Sequence, residues 1–413
     1  MSLIVQKFGG SSVANIERIQ NVARIISEAR QEGHAVVVVV SAMYGETDRL
    51  IKLAQTISDS NLREYDVLIS TGEQMSAALL SMALEARNCP ARSYTAAQIP
   101  LHTTNKHRKA RIVDIDPEIL CHDLQDGCVP VVAGFQGISE TGEITTLGRG
   151  GSDLTAVALA ATLQADECQI FTDVDGVYTS DPKVVPQAQR IPQITFEEMM
   201  EMSSLGARVL QNRCLELSGK YKVPLRVLSS LRKSPGTLIT FEHNAAAERP
   251  LVSGIALDRR QAKLTIQGIP ERPGLVSHIL SPLSKADIEV DMIVQNVPTT
   301  DTKIDFSFTL QRDDYVKSFL IMKQVASELN AWEVLGSDAV AKISLVGVGM
   351  RSHAGIASHM FSALGKEGIH IHLITATEIK ISAVIDEKFI DLSARTLHSA
   401  FKLDQSNFLV KGC

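Results

Sequence analysis

Leu3-Ile4-Val5-Gln6-Lys7-Phe8-Gly9-Gly10-Ser11-Ser12 reads as a short strand running into a glycine turn. Ile16, Ile19, Val22, Ala23, Ile26 and Ala29 then recur at helical spacing until Gly33 ends the pattern. The next apolar stretch, Val36 to Val40, is five valines without alternation. Strands buried on both faces look like this, because helices cover both sides of a parallel sheet. Working outward, the same reading expects strands at 129–133, 169–172 and 225–228, and helices at 74–86, 153–163 and 196–221. Strands alternating with helices over the first ~230 residues specify an α/β domain with a mostly parallel sheet.

The pattern changes after Ser234-Pro235-Gly236. Residues 242–250 are small and polar and read as a linker, after which an internal repeat begins. Residues 274–294 match 355–375 without a gap, at an offset of 81. Gly274/Gly355, Ser277/Ser358, His278/His359, Ser281/Ser362, Leu283/Leu364, Lys285/Lys366, Ile288/Ile369 and Ile293/Ile374 coincide. Second strands follow at 303–308 and 378–384, second helices start at Asp313 and Lys388, and further strand segments lie at 332–336 and 408–411. Each copy reads β-α-β-β-α, so two ferredoxin-like modules in tandem are expected. The boundaries are placed at 1–241 for the α/β domain, 242–260 for the linker, and 261–338 and 339–413 for the modules, with the C-terminal strand able to complete the first.

Composition agrees with folded domains. The 413 residues are 45% hydrophobic and 21% charged, with a net charge of −6, which excludes disorder and argues against nucleic acid as the main partner. The one basic run, Lys106-His107-Arg108-Lys109-Ala110-Arg111, reads either as a solvated loop or as help in attracting an anionic substrate. No unbroken apolar run approaches the ~20 residues of a membrane span, and the N-terminus does not resemble a secretory signal. Cys89, Cys121, Cys128, Cys168, Cys214 and Cys413 contain no Cys-X-X-Cys pair and read as thiols of a reducing compartment. A cytoplasmic protein, with no membrane partner, is expected.

Several segments can carry chemistry. At Lys7-Phe8-Gly9-Gly10, glycines let backbone amides approach phosphate oxygens, and a lysine can put a point charge on a phosphoryl group. A tight turn with a surface lysine would have the same spacing. Gly148-Arg149-Gly150-Gly151-Ser152-Asp153 offers amides beside a guanidinium that suits a carboxylate, although Ser152 or Asp153 could be a plain helix cap. Thr172-Asp173-Val174-Asp175-Gly176 follows a buried strand and is either a site loop or a simple turn. Ser41-Ala42-Met43 and Thr71-Gly72-Glu73 are expected at strand-to-helix junctions, where open α/β sheets bind ligands. Neither GxxxxGK[ST] nor GxGxxG is present.

In their order, these segments resemble the aspartokinases over essentially the whole chain: an amino-acid-kinase domain followed by two ferredoxin-like βαββαβ ACT modules. The resemblance implies transfer of phosphate from ATP, with Mg²⁺ carried on the ATP phosphates and no protein metal site, to the side-chain carboxylate of L-aspartate. That is the first step toward lysine, threonine and methionine. It implies catalytic roles for Lys7 and Asp173. For ATP it implies Lys7, Phe8, Gly9, Gly10, Thr172, Asp173, Tyr178, Thr179, Ser180, Asp181, Pro182, Lys183, Arg208 and Val209. For aspartate it implies Ser41, Thr47, Glu73, Arg149, Gly150, Ser152 and Asp153, with Arg149 on the α-carboxylate and Glu73 on the α-ammonium. For lysine or threonine as effector it implies Glu271, Gly274, Val276, Ser277, Asp291, Met292, Gln295, Ala357, Ser358 and Glu378, with Asp291 and Gln295, placed after the second strand of the first copy, on the effector's polar groups. A homo-oligomer through the ACT modules is also implied. Gly206-Ala207-Arg208-Val209-Leu210-Gln211 departs from the family's Gly-Ala-Lys-Val-Leu-His, and Ala354 stands where many members have proline.

Three rivals remain at this point. One is a kinase of another small carboxylate such as glutamate. The second is an amino-acid sensor without activity, which would ordinarily have lost Lys7, Arg149 or Asp173. The third is a dinucleotide-dependent oxidoreductase, which would need the missing glycine fingerprint.

Overall fold

The structure is a computed structural model, and it describes residues 2–58, 60–206, 209–241, 252–296, 303–350, 353 and 355–405. Arg208, Ala354, residues 408–411, Cys413 and most of the expected linker lie outside the described residues. The chain forms two units, drawn from Met1–Val177, Arg190–Ser204 and Arg208–Glu248 and from Tyr178–Gln189, Leu205–Ala207 and Arg249–Cys413.

The first unit begins β1 (Leu3–Phe8), α1 (Ile16–Gln31), β2 (Ala35–Val40), α2 (Glu46–Ile57), α3 (Leu62–Glu85) and β3 (Ala91–Tyr94). It continues β4 (Leu101–Thr103), β5 (Ile112–Ile115), α4 (Glu118–Gln125), β6 (Val129–Ala133), β7 (Gln136–Ser139) and β8 (Ile144–Thr146). Then come α5 (Gly151–Thr162), β9 (Glu167–Thr172), β10 (Gln193–Thr195), α6 (Phe196–Ser204), α7 (Asn212–Tyr221), β11 (Leu225–Ser229) and β12 (Thr237–Thr240).

Eight strands form one sheet in the order β10-β12-β11-β9-β1-β2-β6-β3, parallel throughout except at β11/β12. All six residues of β2 are buried, as the valine run requires. One face of the sheet packs Ile4, Phe8, Val36, Val38 and Val40 against Ile19, Val22, Ala23 and Ile26 of α1 and Leu80 and Leu84 of α3. A smaller sheet, β5-β4-β7-β8, leads into the glycine turn before α5. The chain leaves β1 toward β2 on one side and returns to β9 on the other, so the strand order reverses at β1. Ligands bind outside the carboxyl ends of strands at such a reversal.

Two helix expectations need correction. The helix expected at 74–86 starts at Leu62, where Asn61 accepts the Glu64 amide as a cap, so Thr71-Gly72-Glu73 is mid-helix and not at a junction. The helix expected over 196–221 is two helices, interrupted where Gly206 takes a φ of +114°. The 24-residue α3 also has the length and hydropathy of a membrane crossing, but eleven of its residues are buried within the fold, the acids Asp66 and Glu73 among them.

The second unit has β13 (Gly254–Pro270), α8 (Leu275–Lys285), β14 (Val290–Gln295), β15 (Lys303–Gln311), α9 (Tyr315–Glu328) and β16 (Glu333–Val346). It then repeats with α10 (Gly355–Lys366), β17 (Ile371–Ala376), β18 (Lys380–Asp386) and α11 (Ile390–Ala400). The six strands join side by side in the order β14-β15-β13-β16-β18-β17. Both copies of the repeat give helix, strand, strand and helix in that order. The long strands β13 and β16 run across the expected borders: residues 254–258 pair with 342–346, beside β18, while 261–270 pair with β15. The expected linker therefore supplies a strand. One further segment belongs here. Val185 and Ala188, from Tyr178–Gln189, pack with Ile356, Met360 and Leu397 of the second repeat.

Candidate active site

Strand ends and helix starts of the first unit surround a cleft of about 500 Å³. It is lined by Lys7 near the end of β1 and Gly10 after it, Ser41 after β2, Thr47 of α2, Glu73 of α3, Arg149 to Asp153 at the start of α5, and Asp173 after β9. Six segments of the first unit thus converge on one cleft. Alternation along β1 sends Phe8 to the α1 side, where it stacks on Phe171 with ring centroids 4.6 Å apart, and Lys7 to the opposite face. There Lys7 Nζ lies 2.5 Å from Asp153 Oδ1 in the first turn of α5. Phe8 therefore contributes packing to the site and no side-chain contact.

The start of α5 is a ready anion site. Its cap position is Gly150, in the left-handed region at φ +75°, with no side-chain cap. Neither Ser152 nor Asp153 is the cap residue, which corrects that alternative. The uncapped amides and the helix dipole favour a negative ligand. Arg149 is exposed beside them and makes no ion pair with a described residue.

Glu73 is the buried acid of the cleft, 3% exposed. Its Oε1 accepts the Ala42 amide at 3.0 Å, while Oε2 has no partner among the described residues. Gly72 makes this possible, since a Cβ there would stand 2.8 Å from the Ala42 Cβ and push the loop after β2 away from α3. Burial pushes the Glu73 carboxyl up to about 7, against the opposing pulls of the Ala42 amide and Lys7. An unpartnered carboxylate oxygen in a dry wall is suited to an ammonium group.

Other expected residues stand elsewhere. Gly9 donates its amide to the Phe171 carbonyl, and Thr172 donates its hydroxyl to Asp173 Oδ1 at 3.0 Å. Val209 lies between α6 and α7, outside the cleft lining. Gln211, one of the family departures, lies against Gly150 so closely that a Cβ on the glycine would meet it at 2.2 Å. Tyr178, Thr179, Ser180, Asp181, Pro182 and Lys183 belong to the second unit, where Thr179 Oγ1 lies 2.9 Å from His398 Nε2. Tyr44, Asp48 and Phe135 line the cleft and were not anticipated. Phe135 follows the end of β6, so the strand-end rule that located Ser41 would have found it. Among the described residues no three His, Cys, Asp or Glu side chains cluster as a metal site.

In the second unit, Glu271, Gly274, Val276, Ser277 and Gln295 line one open recess of about 510 Å³ at the start of α8. Asp291 and Gln295 lie within β14 and not after it. Asp291 is paired with the buried ammonium of Lys342, and Met292 is core, so neither lines the recess. Ala357 and Ser358 sit on α10 and Glu378 between β17 and β18, apart from this recess. His278 faces Glu328 and His359 the Ala400 carbonyl, both on helix surfaces.

Residues 2–229 match the amino acid kinase family, and 343–401 match the ACT domain. The chain is 57% identical to the aspartate kinase of Pseudomonas putida over 405 residues, and 58% identical to the aspartokinase of Pseudomonas aeruginosa over 406, covering 98% of both partners in each case. The chain belongs to the aspartokinase family. Escherichia coli aspartokinase III in complex with aspartate and ADP shares the fold at a TM-score of 0.77 and 26% identity, over 96% of this chain and 99% of that one. The same enzyme in complex with lysine and aspartate gives 0.76 at 26% identity, over 97% and 99%. Family membership sets the oxidoreductase reading aside. The first repeat, outside the matched ACT segment, reproduces the order of helices and strands of the second.

Proposed function

We propose that the cleft transfers the γ-phosphoryl group of ATP to the side-chain carboxylate of L-aspartate, giving 4-phospho-L-aspartate and ADP. One observation carries this reading: Lys7 and the uncapped start of α5 share a cleft with Arg149 and the half-satisfied, buried Glu73. The first pair suits a phosphoryl group, and the second suits the α-carboxylate and α-ammonium of an amino acid.

The nucleophile needs no general base. An aspartate side chain, with a pKa of ~3.9, is ionised at neutral pH. Its oxygen bonds to the γ-phosphorus as the bond to the ADP oxygen breaks, and ADP keeps that electron pair. Lys7 stabilises charge on the transferring group, and in doing so exchanges part of its contact with Asp153. Ser41, Thr47 and Ser152 surround the acceptor. Asp173 is the carboxylate available to Mg²⁺ bound on the nucleotide phosphates, which would neutralise charge there.

The recess at the start of α8 is the reading's effector site, for lysine or threonine, with Gln295 and Ser277 as polar contacts. The exposed edges of the six-stranded sheet favour a homo-oligomer through this unit, and relatives that are biosynthetic enzymes favour the cytoplasm. The test is product identity. With ATP, Mg²⁺ and L-aspartate, ADP release should match formation of an acyl phosphate that hydroxylamine traps as the hydroxamate, and L-glutamate should give neither. ADP release without a trapped hydroxamate, or equal turnover of glutamate, would refute the acceptor assignment.

A further inference from the structure

Seven residues before Glu73, on the same helix, stands a second acid that the transfer step does not use. Asp66 is fully buried, and four donors surround its carboxylate. Oδ2 accepts the amides of Arg108 and Thr146, each at 3.0 Å, and lies 2.9 Å from His107 Nδ1. Oδ1 accepts the Thr146 hydroxyl at 2.7 Å. Thr146 ends β8, three residues before Arg149. The next carbonyl, that of Leu147, is held by Arg213 of α7: Nη1 donates to it at 2.6 Å, and Nη2 donates to the Ala110 carbonyl at 3.2 Å. Gly148 follows at φ +80°, so near the Arg108 carbonyl that a Cβ would stand 2.9 Å from it.

The basic run 106–111 is a loop whose Lys106, Arg108, Lys109 and Arg111 side chains are exposed, as a solvated loop requires, but its backbone is anchored. Two of its backbone groups are tied to Asp66 and Arg213, and the Arg108 guanidinium sits 4.6 Å over the Tyr65 ring. A buried carboxylate met by this many donors fixes backbone geometry, at a desolvation cost that an apolar residue would not incur. These restraints hold the backbone just before Arg149. We propose that Asp66 and Arg213 are positioning residues that hold residues 146–148 so that Arg149 meets the α-carboxylate of aspartate; this rests on the substrate reading of Arg149 given above.

The test is a double-mutant cycle on the full-length enzyme, read as separate KM values. Arg213→Met keeps an apolar stem and removes both hydrogen bonds. It should raise KM for aspartate about 10-fold, with KM for ATP and kcat within about 3-fold, and Arg213→Lys should fall between it and wild type. In an Arg149→Ala background, Arg213→Met should add less than about 2-fold, because nothing remains to be positioned. Thr146→Val, which removes only the hydroxyl bond to Asp66, should repeat the pattern more weakly and decides the matter if Arg213→Met does not fold. Equal rises in both KM values, or full additivity with Arg149→Ala, would overturn the inference and leave Arg213 a structural residue. If Arg149→Ala itself leaves KM for aspartate unchanged, the substrate reading fails instead.

Discussion

Two helices of this chain, α5 and α8, start in the same way. Each has a left-handed glycine at its cap position, Gly150 at φ +75° and Gly274 at φ +81°, and neither has a side-chain cap. Each opens on a cavity of similar size, about 500 and 510 Å³. Their surroundings differ. Around α5, Lys7, Glu73 and Ser152 are buried and fixed by partners or packing. Around α8, Glu271, Arg272, Ser277 and Gln295 are all exposed. A charge fixed in a low-dielectric wall can stabilise a transition state, whereas exposed polar groups give adjustable, weaker binding. In the proposed reading, the same backbone device serves chemistry in one unit and sensing in the other.

Removing the buried cation should produce the largest effect. Lys7→Ala should lower kcat by at least ~10²-fold, the scale of losing one preorganised charge, in a steady-state ADP-release assay. Near-normal turnover would place Lys7 with the exposed groups around α8. Next comes Arg149→Ala, which should raise KM for aspartate by ~30-fold while KM for ATP changes little, since its fork suits a carboxylate. Equal damage to both substrates would move Arg149 onto the phosphates.

Glu73→Gln should raise KM for aspartate ~10-fold at pH 8, where the wild-type carboxyl is ionised. Wild-type KM should fall as pH rises from 6 to 8, through the raised value of about 7, and the variant should lose this slope. Stability carries the opposite sign. A carboxyl raised from 4.5 binds its proton more tightly when folded, so its contribution is greatest below 4.5 and is lost as pH rises through 7. Without substrate, Glu73→Gln should therefore gain on the wild type in Tm between pH 5 and pH 8. The smallest effect on chemistry belongs to α8: Gln295→Ala should raise the concentration of lysine or threonine needed for half-inhibition by ~10-fold.

Local patterns made much of this legible. The valine run, the helical spacing after Gly10 and the glycines before α5 each act through neighbours in sequence, and β1, β2 and α5 stand where they point. Long-range packing hid the rest. Glu73 lines the cleft as its motif suggested, but its mid-helix position was hidden, because Gly72 is there to admit the loop after β2 and not to mark a strand-to-helix junction. Val185 and Ala188 join the second unit through contacts that no local pattern announces. Asp291 resembles an effector ligand in sequence, yet the buried Lys342 engages it. The basic run at 106–111 is anchored by Asp66, a residue some forty positions earlier.

The separation between the two helix starts can be measured as binding alone. Calorimetric titration of aspartate and of lysine into wild type, Arg149→Ala and Gln295→Ala should show Arg149→Ala weakening aspartate by at least ~10-fold with lysine within ~2-fold, and Gln295→Ala doing the reverse. A variant that loses both ligands equally, or a wild type that binds lysine only in competition with aspartate, would contradict it.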